Sequence, residues 1–179
     1  LGLCCEEAAR LILSRREKMY LLVPRRESLP PETAEALAFR RAAFQAVQTR
    51  SLPLGGRLQA LLLLCRGRLP RQSPYAWTEF FLSLETLDPA WPALLRSLRD
   101  CRPDYARFRR AMAGRETEYE QLACYFLYRH LLAGGPEERA ARAAFAALST
   151  SFLYSLGAAL YTAQGRFSPG DQRELCRLY

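Results

Sequence analysis

The chain has 179 residues, half of them hydrophobic and a quarter charged, with a net charge of +8. That length suits one domain, or two small ones sharing a core, and that apolar share can bury a substantial core, so the composition excludes a disordered tail. The positive charge is almost all arginine, with Lys18 the only lysine; residues 1–115 carry +9 and residues 116–179 carry −1.

The elements read in order as helices. Cys4 and Cys5 stand at a helix start, before Glu6 and Glu7, acids that suit the positive end of a helix. Ala8, Leu11 and Ile12 follow as an apolar stripe, and "MYLLVP" (19–24) is the one segment that reads as a short strand. "PRRESLPPE" reads as a loop. Thr33 opens a helix with Ala34, Leu37, Ala38, Phe44 and Val47 at helical spacing. "SLPLGG" (51–56) is expected to break it, and "RLQALLLLCR" (57–66) to form the next helix. Ser73-Pro74 and Asp88-Pro89 each put a capping residue before proline at a helix start. Residues 104–133 read as helix with a break at Gly114. Gly134-Gly135 stops it and Pro136 begins a long helix. Ser168-Pro169 caps a last helix that ends at "ELCRLY".

The expected fold is all-α: a single helical domain over 1–179, a bundle of about eight helices with at most one short strand. No strand precedes a G-x-G-x-x-G, so a Rossmann-type domain is not encoded. Residues 143–165 carry no charge and are long enough to span a bilayer. They are rich in Ala, Ser, Thr, Gly and Tyr, so a buried core helix is the expectation, with no membrane span. The arginine excess raises the question of nucleic acid. No nucleic-acid module is recognisable, and a solvated basic face is the expected reading.

Six cysteines are present, none in C-x-x-C. Cys65 and Cys124 lie in apolar helical runs, where a free thiol acts as a small hydrophobe, a usage that suits a reducing, cytoplasmic setting. A helix N-terminus favours thiolates, so Cys4 and Cys5 are either ligands or two small structural residues; the residues alone favour the structural role. In "EYEQLACYFLYRH" (118–130), Glu120 is the side chain most costly to bury unless it pairs with an arginine or binds a cation. His130, the only histidine, stands at the end of that helix and suits the negative end of its dipole. The many aromatic side chains either form a cation-binding box or, at helical spacing, pack as core.

Four segments in order resemble the flagellin lysine-N-methylase family. "CEEAARLIL" (5–13) is similar to its C-P-E-A-A-R-L-x-L segment, with Glu6 where the family has proline. Residues 38–64 resemble its R…QnR…L…RL…L region through Arg41, Gln48, Arg50, Leu54, Arg57 and Leu58. "EQLACYFLYRHLL" (120–132) resembles its E-N-Y-L helix, with Gln121 and Leu122 for Asn and Tyr. "SPGDQRELCRLY" (168–179) resembles the lead-in to its C-terminal motif. The resemblance implies methyl transfer from S-adenosylmethionine to lysines of flagellin, and an iron–sulfur cluster, 4Fe-4S being the type considered. It makes Cys5 a cluster ligand. It also implies a longer protein with a further cysteine-rich segment. Glu120, Tyr125 and Tyr128 are the expected donors to the cationic cofactor; the catalytic base is not assigned. The competing reading is a helical ligand-binding or dimerisation module.

Overall fold

Several of the described helices begin where a side chain accepts one of the free N–H groups of the first turn. The computed structural model describes residues 33–65, 74–84, 88–131 and 135–179. Among these are eight helices and no strand: α1 (Ala34–Gln48), α2 (Leu54–Leu64), α3 (Pro74–Leu82), α4 (Ala90–Leu98), α5 (Tyr105–Ala111), α6 (Glu116–His130), α7 (Pro136–Gln164) and α8 (Pro169–Leu178). The all-α expectation holds. The strand expected at 19–24, Cys4, Cys5 and the cap expected at Ser73 lie outside the described residues.

Thr33 caps α1, accepting from the Ala36 N–H at 3.1 Å. Asp104 caps α5, accepting from the Arg107 N–H at 2.9 Å. At α8 the expected cap is a full capping box: Ser168 Oγ accepts from the Asp171 N–H, and Asp171 Oδ2 accepts from the Ser168 N–H. Asp88 Oδ1 accepts from the Ala90 N–H at 2.9 Å, and regular helix starts there, one residue beyond the expected proline. Gly114 breaks the chain between α5 and α6 at φ +82°, a left-handed conformation that glycine adopts without a Cβ clash.

One expected boundary moves. The expected break falls at residues 49–53, and α2 starts at Leu54, after the extended Pro53, rather than at 57, with Gly55 and Gly56 in its first turn. Only the first-turn N–H groups lack an intrahelical partner, so glycine weakens that turn less than an interior one. Burial of Leu58, Leu61 and Leu62 then holds the helix in place.

The chain divides into two compact units. The first contains α1, α2, α6 from Glu118 onward, and α7 up to Thr150. Here α1 packs on α2, and the core holds Ala43, Val47, Leu61, Leu62, Ala123 and Leu127. Alanines at 141, 143, 146 and 147 keep α7 slim on its buried face. The second unit contains α3, α4, α5, the rest of α7 from Ser151, and α8. Two groups of rings fill it. Phe81 stacks on Phe152 at 4.3 Å, with Trp91 and Tyr179 edge-on to Phe81. Phe108, fully buried, meets Tyr154, Tyr161 and Phe167 at 5.0, 5.9 and 5.3 Å. Trp91, Phe108, Phe152 and Phe167 are core, as helical spacing suggested, and Phe81, Tyr154, Tyr161 and Tyr179 are half-buried beside them.

By length and composition α7 could cross a membrane, with a mean hydropathy of 1.5 in its most apolar stretch. Of that stretch 61% is buried within the protein, the pattern of a core helix.

Candidate functional site

The most heavily charged point in the described core is in the first unit. Glu120 lies in the second turn of α6, one residue after the buried Tyr119 and three before the buried Ala123. That register turns its carboxylate inward, where its side chain is 1% exposed. A carboxylate there needs compensation by charge and hydrogen bonds.

Two arginines supply it. Arg57, on the inward face of α2 and 6% exposed, donates from Nη1 to Glu120 Oε2 at 2.7 Å. Its Nε donates to the Leu52 carbonyl at 2.7 Å, which ties the α1–α2 loop to α2. Arg50, in that loop and 66% exposed, donates from Nε and Nη2 at 2.9–3.3 Å, so the pairing is forked. The Arg50 hydrogen bonds hold the Glu120 carboxyl below the usual glutamate range against the opposing effect of burial, and Arg57 adds to the effect. Arg50 is in turn held more firmly protonated. The trio carries one net positive charge.

Two further features lie in the same unit. A shallow cavity of about 420 Å³ runs along α1, lined by Leu37, Arg40, Arg41, Phe44, Gln45, Gln48 and Thr49. Cys124 lies one turn beyond Glu120, and its thiol is pushed up mainly by burial. At the far end of α6, the His130 ring lies against Phe126 and edge-on to Phe145 at 5.4 Å, and the His130 carbonyl accepts from Arg142 Nη1 at 2.9 Å.

The three residues expected to hold a cationic cofactor are not gathered into one box. Glu120 is buried and its two oxygens are engaged by the arginines. Tyr125 and Tyr128 stand on the outer face of α6, 49% and 63% exposed. Arg129 covers Tyr125, donating to its hydroxyl at 2.5 Å, with the guanidinium 5.9 Å from the ring centre. With a resident cation on the carboxylate and another on the ring, this set does not fit a sulfonium group.

The described cysteines do not fit an iron–sulfur cluster either. Among the described residues no three His, Cys, Asp or Glu side chains group to hold a metal. Burial pushes the Cys65 thiol up to about 12, far from the thiolate that iron requires. Cys5 lies outside the described residues.

The arginines were the partners that the sequence left open. A glutamate in an apolar helix announces that it needs a cation, but which of the arginines serves it depends on how α1 and α2 turn back onto α6. No protein-family model, curated protein or solved structure matches this chain.

Proposed function

We propose that this chain is a protein-lysine N-methyltransferase that acts on flagellin with S-adenosylmethionine as methyl donor, associated with an iron–sulfur cluster and working in the cytoplasm. The reading rests on the four ordered segments that resemble the flagellin lysine-N-methylases. One structural observation supports it. Arg50 and Arg57 from one of those segments and Glu120 from another, 63 to 70 residues away, meet at 2.7–3.3 Å in one ion network. Residues from two of the resembling segments thus meet in one network.

The transferred methyl requires a neutral lysine amine as nucleophile. Glu120 is poorly suited to take the proton of that amine, since two guanidiniums keep its own proton affinity low. Its role in this reading is positioning: it ties the α1–α2 loop and α2 to α6.

A second reading, a docking or dimerisation module, is favoured by one observation. Tyr125, Tyr128 and Arg129 share the exposed face of α6, and tyrosine and arginine are enriched at interfaces. The experiment that separates the two is anaerobic reconstitution with iron and sulfide, in a chain that carries the cysteine-rich segment, then incubation with flagellin and S-adenosylmethionine. Peptide mass spectrometry is expected to find methylated lysines. An inactive but folded and reconstituted protein would overturn the transferase reading, and dimerisation through α6 would then favour the second.

A further inference from the structure

The three members of the ion network are held unequally. Arg57 is buried and tied at two points, to Glu120 Oε2 and to the Leu52 carbonyl, both at 2.7 Å. Arg50 is two-thirds exposed and reaches the same carboxylate from the loop between α1 and α2. Among the described residues its polar contacts all go to Glu120. The Glu120–Arg57 pair is already neutral, so Arg50 is an added cation resting on a neutral, buried pair. Its Nε and Nη2 make the forked contact that a carboxylate offers to any guanidinium, and its exposure means that water screens it on one side.

We infer that the Glu120–Arg57 pair is a seat for a guanidinium or alkylammonium group, and that Arg50 is its displaceable occupant. The external ligand is a basic side chain of a protein partner. If the proposed activity holds, on which this assignment of the partner rests, that side chain belongs to the protein substrate. It is not the reacting lysine, because a carboxylate beside an ammonium favours the charged form, whereas transfer needs the neutral amine. Exchange of one cation for another leaves the charge count of the site unchanged, so Arg57 and Glu120 stay compensated throughout. The net charge of +8 repels cations at long range, and selectivity therefore comes from the local fork.

The test removes the occupant. Thermal unfolding of Arg50→Ala is followed with methylguanidinium or n-butylammonium chloride against sodium chloride of equal ionic strength, without methyl donor or flagellin. The melting temperature of Arg50→Ala is expected to rise with the logarithm of probe concentration. The wild type, whose seat is filled, should shift several-fold less, and Arg50→Ala/Glu120→Gln should not shift. Equal responses in all three proteins, or none in Arg50→Ala, would overturn the seat. The wild type gives a readout that needs no variant to fold: the Arg50 Nε–H resonance should move toward that of free guanidinium as methylguanidinium is added. A resonance that stays fixed overturns displacement. A failed methyl-transfer assay leaves this outcome untouched, since binding is read with neither reactant present.

Discussion

Replacing Glu120 with glutamine keeps the shape of the side chain and removes its charge. Two guanidiniums then face a neutral amide. Arg50 can relax into water from its exposed position, but Arg57 cannot, since only 6% of its side chain is exposed and its Nε is tied to Leu52. The cost is that of a buried charge left with a carbonyl and an amide as its only partners, about 3–5 kcal/mol when one member of a buried pair is removed. That is a large share of the roughly 5–15 kcal/mol that holds a domain folded. At about 2–4 °C per kcal/mol for a chain of this size, the melting temperature should fall by about 6–20 °C. Urea unfolding at neutral pH, with the slope unchanged, is the direct assay. The double variant Arg57→Met/Glu120→Leu removes both buried charges and is expected to lose less than Glu120→Gln, because apolar replacement of a buried pair is often neutral. A loss below about 1 kcal/mol for Glu120→Gln, or a double variant worse than the single one, would refute the reasoning.

The same network has a pH signature. The folded Glu120 carboxyl lies below its ordinary value, so its contribution is complete above the unfolded value of about 4.3 and is lost as pH falls through the folded value. The stability difference between wild type and Glu120→Gln should be flat above about pH 5 and shrink below it; a difference that persists unchanged into acid contradicts this. Phe108→Ala should cost about 3–5 kcal/mol in chemical denaturation, since a fully buried ring leaves three aromatic neighbours around a cavity. Ser168→Ala should cost about 1 kcal/mol and raise hydrogen exchange in the first turn of α8, where the capping box is lost. Burial pushes the Cys65 thiol up to about 12, so at pH 8 it should react with a thiol reagent far more slowly in the folded protein than in denaturant; equal rates would show that it is not held in an apolar site.

Much of the helical order was legible in the sequence because its signals are local. Thr33, Asp88 and Ser168 precede helices, and a hydroxyl or carboxylate before a helix start does one thing well. Gly114 and Pro136 mark a break and a start for equally local reasons. The break after α1 was legible, but the start of α2 falls three residues earlier than expected, since Gly55-Gly56 sit in a first turn that the burial of the α2 leucines stabilises. The site was legible only in part. Glu120 was marked as a carboxylate in need of a cation, and it has two. Its choice of Arg50 and Arg57 depends on contacts across more than 60 residues, which no local pattern carries. Tyr125 and Tyr128, three apart, share a helix face with each other. Glu120 turns inward by its own register, so the three could not form one box on one helix.

The methylation state of flagellin lysines after incubation with S-adenosylmethionine and the anaerobically reconstituted protein, read by peptide mass spectrometry, tests the proposed transferase activity. Methylated lysines are expected with the wild type, and with Glu120→Gln a loss no smaller than the drop in the fraction of folded protein. Unmodified flagellin in the presence of a folded, reconstituted wild type would contradict it.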